Sequence, residues 1–373
     1  MIPQTKPNIQ SISPYIPGKP IEEVRRELGL KGAILKLASN ENPLGPSKLA
    51  IKAMRKYIKE VSLYPDDGCY LLGKRLALHL GVKEDQLIFG NGSVEVIDFI
   101  IKSFVAPGDH VVMADQAFIM YKIAAKMADA RATLVPLNNY THDLEAMAQA
   151  IKPETKVVFI ANPNNPTGTM VSQEQTKEFL KKVPETCLVV FDEAYYEYIS
   201  RQDFPQSIRL LADHHNLIIL RTFSKIYGLA GMRVGYGIGH PDLIAAIRKV
   251  RLPFNVGLMA QISCQAALDD IKHLEASRLV NDQGKDFLYR QFDKMGMFYI
   301  PSEGNFILID PKIDSEQVFL EMQKLGVIVR PVKNYGFPTA LRVTIGTMKQ
   351  NKKLVRSLKA TLKAMSKKGS QPA

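Results

Sequence analysis

From about Leu87 onward, short runs of β-branched and other apolar residues alternate with longer stretches whose apolar positions recur every three or four residues. Residues 86–89, 110–114, 132–136, 157–161, 188–191, 217–220 and 234–238 read as strands, and 94–105, 144–151 and 173–182 as helices between them. Most of these strands are apolar at every position rather than at every second one. Such strands belong to a sheet covered by helices on both faces. The pattern therefore predicts an α/β fold with a large, doubly wound, mainly parallel sheet. Past Asn255 the rhythm changes. A helical stretch at 259–295 precedes a strand at 306–309, a helix at 315–325 and strands at 327–332 and 341–345, as expected of a smaller α+β unit. Before all of this lies an arm carrying Pro3, Pro7, Pro14, Pro17 and Pro20, too rich in proline to fold alone and expected to lie over another surface.

Composition narrows the picture. Of 373 residues, 46% are hydrophobic and 23% charged, which excludes a disordered chain and supplies enough for a large core. No stretch approaches the ~18 uninterrupted apolar residues of a membrane span. The first twenty residues lack an apolar segment of the kind a secretory leader carries, so the cytoplasm is the expected compartment. Cys69, Cys187 and Cys264 form no CxxC pair and the histidines are scattered, so no metal site is expected. The net charge of +12 suggests nucleic acid until it is located. Seven lysines and Arg356 crowd the segment 349–368, which also carries Leu354, Leu358, Leu362 and Met365 at helical spacing. That is an amphipathic helix with a basic outer face, and the rest of the chain is left at only +4.

Four segments carry candidate chemistry. Gly90-Asn91-Gly92-Ser93 joins a strand to a helix, and it is either a phosphate cup or a tight connection. Glu95 stands where a dinucleotide fingerprint needs its third glycine, which argues against a nicotinamide-dependent dehydrogenase. Asn162-Pro163-Asn164-Asn165-Pro166-Thr167-Gly168 is a stiff turn beyond the carboxyl edge of the sheet, rich in side-chain amides. Asp192 ends an apolar strand, a costly place for a carboxylate unless a core arginine or a protonated heterocycle meets it. Lys225 follows the next strand, with Ser224 before it and Arg233 eight residues on; desolvation there makes a lysine nucleophilic. An anion cup, a carboxylate for a ring nitrogen, amide and hydroxyl donors, a reactive lysine and an arginine together suit one cofactor, pyridoxal 5′-phosphate.

The chain also resembles the fold-type-I pyridoxal-phosphate aminotransferases, and among them the histidinol-phosphate branch. The resemblance is carried by SPYIPGKP at 13–20, LASNENPLGPS at 37–47, YPD at 64–66, ANPNNPTG at 161–168 and FDEAYYEY at 191–198. It continues in TFSKIYGLAGMRVGYG at 222–237, EGNF at 303–306, VRPV at 329–332 and LRVTIGT at 341–347. It implies an arm and part of a small domain at 1–44, a large cofactor-binding domain at 45–255, and the remainder of the small α+β domain at 256–373. By the same resemblance, Lys225 binds the cofactor covalently and moves the substrate proton, while Asp192 keeps the pyridine nitrogen protonated. Tyr195 and Asn165 meet the phenolic oxygen, and Phe118 stacks on the ring. Gly92, Ser93, Ser224 and Arg233 hold the phosphate, with Tyr64 reaching in from the second subunit of a homodimer. Arg342 grips the α-carboxylate of L-glutamate, and Arg330 and the second subunit's Tyr15 meet the phosphate of histidinol phosphate.

Two positions depart from the family pattern. Val94 stands where an aspartate is usual, and Gln116-Ala117-Phe118 replaces Pro-Thr/Ser-Tyr/Phe. An aromatic amino-acid aminotransferase and a threonine-phosphate decarboxylase share the expected fold and differ only in loops that set specificity. A nucleic-acid-binding protein that merely kept the fold would have no use for Lys225, Asp192 and Asn165.

Overall fold

The computed structural model describes residues 3–14 and 18–369. After β1 (Leu35–Lys36), seven strands build one sheet: β2 (Leu87–Gly90), β3 (His110–Ala114), β4 (Arg131–Val135), β5 (Thr155–Ala161), β6 (Leu188–Asp192), β7 (Leu217–Thr222) and β8 (Gly235–Gly239). Their order is β2-β8-β7-β6-β5-β3-β4, and every pairing is parallel except those of β8, which opposes both β2 and β7. The mainly parallel α/β sheet expected from the pattern is present. Side chains of its central strands alternate between two cores. Val158, Ile160, Val189, Phe191, Leu217 and Ile219 enter one, while Val157, Phe159, Leu188, Val190, Ile218 and Leu220 enter the other. With both faces buried, there is no polar alternation to read. Only the edge strand β4 exposes residues, at Arg131, Ala132 and Leu134.

The remaining strands are β9 (Phe298–Ile300), β10 (Phe306–Asp310), β11 (Val327–Ile328), β12 (Arg330–Pro331) and β13 (Leu341–Thr344). Four of them form an antiparallel sheet in the order β12-β13-β10-β9, whereas β11 pairs in parallel with β1. The single strand expected at 327–332 is thus two, because Val327–Ile328 turns toward β1 and Arg330 turns toward β13. The helix expected at 259–295 is also two, Leu258–Ala267 and Ile271–Asp293. The break is made by Asp270, whose side chain caps the second helix by accepting the His273 N–H.

The last helix, Met348–Gly369, buries Leu354, Val355 and Leu358 against β10 and β13 residues such as Ile307 and Val343, and leaves Lys352, Lys359, Lys363 and Lys367 exposed. In the arm, Asn8 donates to the Lys126 and Met127 carbonyls at the end of the helix Met120–Met127 (3.0 and 3.1 Å). No helix among the described residues is long and apolar enough to cross a membrane. The three cysteines are free, and all lie in one core, on a single face of the large sheet.

Candidate active site

The carboxyl ends of β5, β6 and β7 open onto a cavity of about 420 Å³, closed from the other side by residues 38–41, Arg330 and Arg342. Lys225, three residues past β7, donates from Nζ to the Ser39 carbonyl at 3.3 Å. Burial, followed by the charge of Arg342, brings its pKa down to about 8.

Asp192 ends β6, with its backbone carbonyl accepting the Asn162 N–H at 2.9 Å. The core arginine that could have met it does not. Arg221 gives both Nε and Nη2 to Glu193 Oε2 (2.9 and 2.8 Å) and lies over the Tyr196 ring at 3.3 Å. Asp192 accepts the Tyr121 hydroxyl at Oδ2 (2.8 Å), while buried Oδ1 has no side-chain partner. Burial, opposed by that hydroxyl and by the Ala194 backbone N–H, pushes the carboxyl up to about 6.

The turn after β5 divides its amides between scaffold and cavity. Asn162 exchanges two hydrogen bonds with the Val171 backbone, and Asn164 donates to Gln116 O and Thr167 Oγ1. Asn165 faces the cavity and accepts from Arg342 Nη1 at 2.6 Å. Because Asn164 reaches the main chain of Gln116, the unusual side chain there leaves the contact intact. Phe118 lines the cavity, edge-on to Tyr121 at 5.7 Å. Tyr195 also lines it; burial, opposed by Arg342 and Asn40, pushes its hydroxyl up to about 12.

Gly92 begins the helix Ser93–Phe104 at φ +83°, and a Cβ there would lie 2.4 Å from Arg233 Nη2. The glycine thereby lets a guanidinium sit directly beside a helix N-terminus. Arg233 Nη1 also reaches Ser224 Oγ at 3.4 Å. Glu95, the residue that spoils a dinucleotide fingerprint, binds the Asn91 N–H and Asn255 Nδ2, both at 2.6 Å, and so fixes the turn. Ser93, Val94, Ser224 and Arg233 all line the cavity, so this end of it presents a helix N-terminus, a hydroxyl and a guanidinium, groups that suit an anion.

Arg330 and Arg342 stand directly opposite each other across β12 and β13. Arg342 donates from Nη2 to the Ala38 carbonyl at 2.7 Å, and its buried Nε has no partner. Both guanidinium-bearing residues line the cavity.

The fold brings together Gly92, Ser93, Phe118, Asn165, Asp192, Tyr195, Ser224, Lys225, Arg233, Arg330 and Arg342. Tyr64 is not among them. It is 81% exposed, stacks on Phe254 at 4.7 Å, and lines a neighbouring cleft that shares Arg233. Tyr15 lies outside the described residues. Two residues overlooked in the sequence touch this group, Tyr121 on Asp192 and Asn40 on Tyr195. The aromatic pair Phe118/Tyr121, one helical turn apart, was the available signal for the first, and the polar SNEN run for the second.

Residues 33–358 match the family model of class I and II aminotransferases. The chain is 51% identical to a histidinol-phosphate aminotransferase of Moorella thermoacetica, across 97% of this chain and 94% of that one. It is 46% identical to the enzyme of that name from Caldicellulosiruptor saccharolyticus, across 95% and 99%. The crystal structure of histidinol-phosphate aminotransferase from Sinorhizobium meliloti in complex with pyridoxal-5′-phosphate superposes with a TM-score of 0.90 at 28% identity, covering 98% of this chain and 99% of that one. The buried lysine and carboxylate, the helix N-terminus with its arginine and the paired arginines thus lie in a chain that belongs to the class I and II aminotransferases and, within them, to the histidinol-phosphate aminotransferase family.

Proposed function

We propose that the cavity holds pyridoxal 5′-phosphate and that the chain exchanges an amino group between L-glutamate/2-oxoglutarate and imidazole-acetol phosphate/L-histidinol phosphate, in L-histidine biosynthesis. The observation that carries this reading is Asp192 Oδ1, a buried acceptor with no side-chain partner, in the same cavity as a desolvated lysine. Such an oxygen calls for a cationic N–H from a ligand. When bound, the cofactor supplies an aldehyde that takes up and returns amino groups and a protonated pyridine that draws electrons from the substrate α-carbon.

The residues divide that work. Asp192 holds the ring proton, and Tyr195 and Asn165 bind the phenolic oxygen. Phe118 covers the ring. Gly92, Ser93, Ser224 and Arg233 bind the phosphate; Val94, lacking a polar side chain, offers its backbone alone. The Lys225 amine anchors the cofactor and moves the α-carbon proton through Nζ, a role suited to a pKa near neutrality. Arg342 binds the glutamate carboxylate in the fork geometry guanidinium favours. Arg330, opposite it, binds the phosphate monoester, joined by Tyr15 of a second subunit. Leu63, Tyr64, Leu71, Leu78, Leu252 and Phe254 are exposed apolar residues, and they support a homodimer in which Tyr64 completes the other subunit's cup. Buried free thiols suit the cytoplasm.

The test is spectroscopic. The protein reconstituted with pyridoxal phosphate is expected to lose its visible band at far lower L-histidinol phosphate than L-phenylalanine. Equal sensitivity would mean a broad aromatic aminotransferase, and no band at all would overturn the cofactor. Arg330→Ala is expected to impair the histidinol-phosphate half-reaction more than the glutamate one. Equal losses would remove Arg330 from phosphate binding.

A further inference from the structure

Asn40 is 1% exposed, adopts a positive φ of 56°, and joins the small antiparallel sheet to the cavity. Its N–H donates to Thr344 Oγ1 on β13 at 2.9 Å, and its carbonyl accepts from Asn305 Nδ2 at 3.0 Å. Its side chain bridges Thr344 Oγ1 (3.2 Å) and the Tyr195 hydroxyl (2.9 Å).

The orientation of the Asn40 amide gives this chain of bonds its polarity. Thr344 Oγ1 accepts the Asn40 N–H and gives its own hydrogen to Asn40 Oδ1. The other end of the amide, Nδ2, then faces Tyr195 and donates to it. A phenolic oxygen that accepts this bond keeps its own proton for another acceptor, and none for it is found among the described residues. The free direction is the cavity that Tyr195 lines.

We infer that Asn40 is a positioning residue that fixes Tyr195 as a hydrogen-bond donor into the cavity, with Thr344 setting the polarity. Thr344 lies two residues from Arg342 on β13, hence on the same face. Arg342 holds the Ala38 carbonyl while Thr344 holds Asn40, so both ends of the segment 38–40 are pinned to the strand that carries the substrate arginine. The inference rests on the reading above, in which Tyr195 donates to the cofactor's phenolic oxygen.

Asn40→Asp preserves size and tolerance of positive φ but offers Tyr195 an acceptor, turning its proton away from the cavity. Thr344→Val keeps the β-branched shape and removes the hydroxyl. Each variant, with Tyr195→Phe as reference, is reconstituted from apoprotein with pyridoxal phosphate, reading the visible band and the cofactor's Kd. Asn40→Asp is expected to weaken binding about tenfold and to shift the band as Tyr195→Phe does. Thr344→Val shifts it the same way by less. The double variant Asn40→Asp/Tyr195→Phe should match Tyr195→Phe alone, whereas a mere charge effect would persist and add. An unshifted band in Asn40→Asp, or additive shifts, overturns the inference. If Asn40→Asp does not fold, an unshifted band in Thr344→Val does so. No band in the wild type overturns the reading of the site itself.

Discussion

Burial acts in opposite senses on the two ionisable groups that face the cavity from β6 and β7. It brings Lys225 down to about 8 and Asp192 up to about 6, so both sit nearer neutrality than exposed side chains of their kind. For Asp192 the ordinary value of 3.8 is raised, and its contribution to stability is complete below that value and lost as pH rises through 6. The ligand-free protein is therefore expected to lose stability relative to Asp192→Asn across that window, measured as the difference between their urea midpoints. A constant difference would mean that Asp192 is not desolvated. Tyr121→Phe removes the hydroxyl on Oδ2 but keeps the ring stacked on Phe159 at 4.8 Å. It should raise the Asp192 pKa further and weaken cofactor binding roughly tenfold. Unchanged affinity would sink that role. Asp192 and Lys225 stood out in the sequence because each follows an apolar run. Tyr121 and Asn40 did not, because each acts by touching another side chain that is distant along the chain.

Helix starts are shared between elements here. Asp270 Oδ1 caps Ile271–Asp293, while Oδ2 accepts the hydroxyl of Ser47, which itself caps the helix Lys48–Tyr57. One carboxylate thus orders two N-termini more than two hundred residues apart. Asp270→Ala should cost about 1–2 kcal/mol by urea denaturation, and Ser47→Ala should add less than its separate effect in the double variant. Full additivity would show the two caps to be independent. This junction also explains what the apolar pattern concealed. The periodicity runs almost unbroken through Asp269-Asp270, so 259–295 reads as one helix. Likewise 327–332 is uniformly apolar except at Arg330, and only partner strands reveal that it serves two sheets. The central strands of the large sheet were legible because burial on both faces leaves a continuous apolar signal.

At the scale of the whole molecule, the exposed Tyr64 beside a cleft that shares Arg233 leads to an arrangement that mixing can test. If Tyr64 serves the other subunit, a hybrid of Lys225→Ala and Tyr64→Ala chains contains one site with both wild-type residues. Co-refolded variants should regain activity that neither shows alone; no regain would place Tyr64 in its own subunit's chemistry or in none. In the sequence the exchange is implied by the family resemblance alone, because neither spacing nor burial tells which subunit a side chain serves. The thiols bear on the molecule differently. Cys69, Cys187 and Cys264 all lie in the core on one face of the large sheet, and burial pushes the first two up to about 12. At neutral pH an alkylating reagent meets almost no thiolate until that layer opens. Labelling rates therefore clock the breathing of one side of the sheet, while the opposite core and the small antiparallel sheet can open without leaving any mark.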